Sequence, residues 1–125
     1  MTRKALEIEN PALAALPFSP GVYAGKTLFL SGQVGVDPAT GALVKGGVQA
    51  ETDQIFRNIT TVLAAADKDL DDVIKANVYL VHMDDYDAMN EAYARAFGKP
   101  YPARTCIGVA GLPLHARIEI EVNVR

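Results

Sequence analysis

The C-terminal segment constrains this chain more than any other. Ile118, Ile120, Val122 and Val124 alternate without a break with Glu119, Glu121, Asn123 and Arg125. A period of two is the mark of a strand with one face buried and the other polar, so the segment must lie in a sheet covered on one side. What covers it can also be read from the pattern. Ile55, Phe56, Ile59, Val62, Leu63 and Ala66 recur at helical spacing, with Asp53, Arg57 and Thr61 off the stripe. A second helical stripe, Tyr86, Met89, Tyr93 and Phe97, follows Asp84 and Asp85, which are suited to capping free backbone N–H groups, and it stops at Gly98 and Pro100.

Between these elements further strands are expected. Val22-Tyr23 and Leu28–Ser31 flank Ala24-Gly25-Lys26 as a hairpin, and Asp37–Gly41 makes a turn ahead of the irregular Gly46-Gly47. Ile74, Ala76, Val78 and Leu80 alternate with Lys75, Asn77 and Tyr79, and Pro100 and Pro102 lead into an extended Arg104–Ala110. The order predicts one α+β domain over residues 1–125, with two helices on one face of a mixed sheet. The second face is then wet or covered by another copy. With 50% of residues apolar, the covered form, a homo-oligomer, is expected.

Composition excludes several function classes. A formal charge of −3 lacks the basic footprint of nucleic-acid binders. One cysteine excludes an internal disulfide and multi-cysteine metal clusters, and fits a reducing compartment. The uncharged Asn10–Gly25 stretch holds Pro11, Pro17 and Pro20 and cannot span a membrane as a helix, and after Met1-Thr2-Arg3-Lys4 a secretory leader is cut short by Glu7 and Glu9. A cytoplasmic protein is the expectation. Gly21–Thr27 imitates a phosphate-binding loop but is one residue short and continues as a strand. His82 with Asp84 and Asp85 has no second histidine nearby and no ligand spacing, so no metal is expected, and His115 falls in a surface turn.

Three residues carry the candidate chemistry. Arg104 opens an otherwise uncharged run, where a guanidinium can grip a planar carboxylate with two parallel hydrogen bonds. Glu119 shares its strand face with Glu121, and neighbouring like charges raise the pKa of one toward acid/base use. Read from the residues alone, a solvated surface ion pair is the favoured reading of the two, since such pairs are common and weak. Cys106 reads as a small buried hydrophobe, with a nucleophile as the alternative.

The chain resembles the RidA/YjgF family of reactive-intermediate (imine) deaminases across nearly its whole length. The resemblance rests on Leu28–Gly35 with Asp37–Gly41, Asn58 ahead of Val62-Leu63, Met89–Tyr93, Pro102–Cys106, and Leu112-Pro113 with Ile118–Glu121. It implies a chorismate-mutase-like fold, a homotrimer with sites in clefts between subunits, and hydrolysis of 2-imino acids such as 2-iminopropanoate and 2-iminobutanoate without a cofactor. By that resemblance Arg104 holds the substrate carboxylate, the Cys106 backbone bonds the imine nitrogen or the water, and Glu119 positions the water. Ser31 and Gly32 supply a wall and backbone contacts, and Asn90 supports the cleft. Two departures stand out. Phe18 keeps the ring but not the hydroxyl of a cleft-lining tyrosine, and Asp67 stands where relatives end the first helix with glycine. The alternatives are a non-catalytic carboxylate-binding or chaperone-like trimer, and an endoribonuclease.

Overall fold

A computed structural model describes residues 2–10 and 14–125; Met1 and Pro11, named above, lie outside them. Alternating apolar residues generate most of the strands: β1 Lys4–Leu6, β2 Gly21–Ala24, β3 Thr27–Leu30, β4 Gln33–Val34, β5 Val73–Leu80, β6 Ala103–Gly108 and β7 Ile118–Val124. The helices are α1 Gly47–Ala64 and α2 Tyr86–Ala96. Strand order is β1-β2-β3-β7-β5-β6, with β4 also paired to β7. All pairs are antiparallel except β5 with β6, which α2 joins as a crossover.

β7 is therefore interior, bonded to β3 and β4 along one edge and to β5 along the other. Ile118, Ile120, Val122 and Val124 are all within 1% of full burial, as are Ala76, Val78 and Leu80 of β5. Against them pack Ile55, Ile59 and Leu63 of α1 and Met89 and Tyr93 of α2. Phe56, Tyr93 and Phe97 close the far side in edge-on contacts, with ring centroids 5.7 and 5.2 Å from Phe56. The mixed sheet with two helices on one face is as expected, and so is the hairpin, where Gly25 takes a φ of 59° between β2 and β3.

Several local expectations are corrected. Ile74 is 49% exposed while Val73 is buried, because the pairing of β5 with β7 slips between Val73 and Lys75 and turns Ile74 outward. Asp85 makes no capping bond at α2 and instead grips Arg117 through both carboxylate oxygens, each at 2.9 Å. The helix α1 starts at Gly47, with Gly46 at a φ of 119° before it, well ahead of its apolar stripe. β1 and β4 are too short to leave a periodic signal. Asp67 does adopt the left-handed conformation that ends α1, with a φ of 55°.

The open face of the sheet differs most from expectation. Instead of an apolar surplus, its centre is polar, with Lys75, Asn77 and Tyr79 of β5 beside Glu119, Glu121 and Asn123 of β7. Lys75 donates to Thr105 at 3.1 Å and Asn77 to Glu121 at 3.2 Å, and exposed Phe29 and Ile107 flank them. The apolar half of each alternating strand is already spent on the helix layer. Among the described residues no helix is long and apolar enough to cross a membrane.

These two environments give opposite mutational outcomes. Ile120→Ala, in the fully buried layer, lowers unfolding free energy by about 2–5 kcal/mol. Ile74→Ala, despite an equal place in the sequence pattern, changes it by about 0.5 kcal/mol or less. Urea unfolding of the two variants checks the register slip directly.

Candidate active site

Arg104 lies on β6 opposite Ala76, on the same side of the sheet as the helices. Because β6 is the edge strand, its side chain emerges at the margin of the core, against the first turns of α2. There Nη1 donates to Asn90 Oδ1 at 2.7 Å and meets Met89 Sδ at 3.9 Å, while Nη2 donates to the Tyr86 hydroxyl at 3.1 Å. The guanidinium also sits 4.8 Å from the centroid of the Tyr93 ring and 5.6 Å from that of Tyr86, a cation held by aromatic faces and neutral acceptors. Among the described residues the ion pairs are Arg95–Asp53 and Arg117–Asp85, and no carboxylate pairs with Arg104.

Cys106 lies two residues along the same strand, opposite Val78, and packs against the core. Burial pushes its thiol up, against a smaller opposite pull from Arg104. A thiol kept protonated is a poor nucleophile, which fits Cys106 as a small hydrophobe packed on the core.

Glu119 lies on β7 opposite Tyr79, on the open face. Burial, and then the charge of Glu121, raise its carboxyl above the ordinary range. Its carboxylate rests on Gly32, where an added Cβ would come within 2.8 Å of Oε2, so only glycine lets the acid sit there. Beside it the Ser31 hydroxyl donates to the Ser19 carbonyl at 2.6 Å and ties down the segment carrying Phe18, a residue 48% exposed. Glu121 is occupied differently. It accepts hydrogen bonds from Asn77 and from the Tyr79 hydroxyl, which is itself pushed up to about 12, chiefly by that bond. Of the two neighbouring acids, Glu121 is engaged by two hydrogen bonds and Glu119 is the one raised by burial.

The sequence-predicted residues thus form two groups. Arg104, Cys106 and Asn90 gather on the helix side, Ser31 and Gly32 follow β3 beside Glu119 on the open face, and Phe18 lies in the segment before β2 that Ser31 ties down. One chain does not bring them together, and the surface ion pair between Arg104 and Glu119 does not form. Sequence reasoning did not assign roles to the rings of Tyr86 and Tyr93 around Arg104, although both stood on the predicted helical stripe. It also missed Glu51, a buried acid on α1 whose carboxylate accepts the Arg117 N–H at 2.9 Å and anchors the start of β7 two residues before Glu119. Burial raises Glu51 as well. His82 and His115 join no cluster, and among the described residues no group of three or more histidine, cysteine or acidic side chains is arranged to hold a metal. A surface groove between the helices, over Phe56 and Ala92, contains none of the candidate residues.

Residues 8–125 match the model of a family described as endoribonuclease L-PSP. A RutC family protein of Pyrococcus horikoshii is 43% identical over 95% of this chain and 94% of its own length. A 2-iminobutanoate/2-iminopropanoate deaminase of Bos taurus is 40% identical over 97% of this chain and 88% of its own. Among solved structures, Escherichia coli TdcF with bound serine superposes with a TM-score of 0.87 at 33% identity, covering 98% of each chain.

The raised Glu119 has a consequence for stability. An acid whose pKa is higher folded than unfolded takes up a proton on folding, so its ionisation costs stability as pH rises through the raised value. Glu119→Gln therefore melts higher than the wild type at neutral pH, and the difference fades toward about pH 4, where both forms are neutral. Thermal melts across that range measure it.

Proposed function

The chain belongs to the endoribonuclease L-PSP family, the RidA/YjgF group, and on that footing we propose that it hydrolyses reactive 2-imino acids to 2-keto acids and ammonia, in the cytoplasm and as a homotrimer. One observation carries the reading. Among the described residues Arg104 has no carboxylate partner, and the raised acid Glu119 lies on the opposite face of the same sheet. Each is half of a site that a neighbouring copy completes. In a closed ring of head-to-tail interfaces, every copy lends its arginine to one neighbour and its glutamate to the other.

The chemistry then follows from the groups present. Arg104 takes the substrate carboxylate by its guanidinium fork and orients the C=N carbon. The Cys106 backbone bonds the imine nitrogen. Glu119 of the adjoining copy holds a water against that carbon and accepts its proton as the C–O bond forms. Returning that proton to nitrogen gives an amino alcohol; its hydroxyl proton then passes through the same glutamate to nitrogen, and ammonia leaves as the C–N bond breaks and the C=O bond of the keto acid forms. Imine and water are consumed, keto acid and ammonia are produced, and no electrons change hands. The imine is already electrophilic, so positioning and proton transfer suffice, and the proton-transfer part is worth about 10²–10⁴-fold. Phe18 would close the cleft with an apolar ring, and Ser31 and Gly32 would give it a wall and room.

The test is to generate 2-iminobutanoate in place with an amino-acid dehydratase and follow keto-acid release. Wild type accelerates it, Arg104→Ala loses about a hundredfold or more, the loss of two charge-assisted bonds, and Cys106→Ser stays within about threefold because its thiol takes no part. A fully active Arg104→Ala would overturn the assignment. Binding without acceleration would favour the carboxylate-binding trimer instead, and a chain sedimenting as a monomer at micromolar concentration would exclude the shared site.

A further inference from the structure

A guanidinium carries five N–H donors, one on Nε and two on each terminal nitrogen. Their use here is uneven. Nη1 spends its two on Asn90 and Met89, and Nη2 spends one on Tyr86. Tyr86 and Asn90 are one turn apart on α2, so their oxygens lie on one face of the helix. A guanidinium that reaches both at once turns its terminal edge, Nη1 and Nη2, toward the helix. The hydrogens left are the one on Nε and the second on Nη2. Those two point side by side along the other edge of the fork, and among the described residues nothing accepts them.

The geometry points to Tyr86 as a positioning residue that acts through its hydroxyl, turning Arg104 so that it receives a small carboxylate on the Nε/Nη2 edge. Tyr86 is 38% exposed at the mouth of this corner; its ring lies 5.6 Å from the guanidinium and its hydroxyl accepts from Nη2, and of the two only the hydroxyl fixes the fork's direction. Asn90 alone fixes one terminal nitrogen and leaves the fork free to swing about that bond. The second bond, to Tyr86, stops the swing. What it changes is which edge of a flat cation meets a flat anion, and only a matched edge gives two parallel bonds.

This inference rests on the reading above for the identity of the carboxylate, and its test does not depend on turnover. Binding of 2-oxobutanoate, the keto acid of the assay, is measured by calorimetry to wild type, Tyr86→Phe and Tyr86→Ala. Phenylalanine keeps the ring and loses only the hydroxyl, so the expected result is a dissociation constant about five- to tenfold weaker for Tyr86→Phe, the range of one hydrogen bond to a charged group. In turnover the same variant raises KM by that factor with kcat within about twofold, since the carboxylate is held alike in ground and transition states. Affinity of Tyr86→Phe within about twofold of wild type, with or without weakening in Tyr86→Ala, overturns the inference, as does absence of binding to wild type. A wild type that binds 2-oxobutanoate but does not accelerate its release from the imine overturns the deaminase reading, and the measured affinities then decide the role of Tyr86 by themselves.

Discussion

The interior strand β7 has two faces of opposite chemistry, and the arrangement of the molecule depends on that. Its four apolar side chains are committed to the helix layer, so Glu119, Glu121 and Asn123 have no choice but the open face. Burying the apolar set is worth far more than any single polar contact, because each branched side chain contributes about 1.5–3 kcal/mol on removal from water. A slip of one residue would exchange the two sets and is excluded on that ground. The pairing of β7 with β5 and of β5 with β6 passes the same parity along the sheet, and so fixes Arg104 on the helix side and Glu119 on the other.

From this parity the chemistry divides. The helix side holds a fixed cation with no carboxylate partner among the described residues, cradled by Asn90, Tyr86 and Tyr93. The open side holds an acid raised by burial against Gly32, with its neighbour Glu121 engaged by Tyr79 and Asn77. A sheet is too well packed for these groups to meet through it. In the shared site proposed above, they meet where the edge of one copy adjoins the open face of another. Exposed Phe29 and Ile107 on that face, on either side of the polar centre, fit a surface that a second copy covers.

Much of the fold was legible in the sequence because it is written in periods. The alternation of Ile118–Arg125 and the stripe from Ile55 to Ala66 are long enough to identify element and face together. Where the signal is short or interrupted it fails. β1 and β4 have too few residues for a period, and the slip at Val73 breaks the alternation, which counted Ile74 as core. Asp85 fits a cap by residue type, but Arg117, far along the chain, holds it more strongly than a backbone N–H would. The candidate residues were legible as types in a resemblance, yet Arg104 and Glu119 read as a pair when they lie on opposite faces. Which face Arg104 takes depends on the pairing of β6 with β5, a relation between distant segments that no local pattern contains. The same holds for Glu51 and for the hydroxyl of Tyr86, whose partners are distant in sequence.

The central claim is that arginine and glutamate act from different copies, and mixing two inactive variants tests it most directly. Arg104→Ala and Glu119→Gln chains are unfolded together in equal amounts, refolded, and assayed for keto-acid release. In a closed ring a site is whole wherever an intact Arg104 faces an intact Glu119, so the expected result is recovery to about one quarter of wild-type turnover. A mixture no more active than either variant alone, with chain exchange verified, would contradict it.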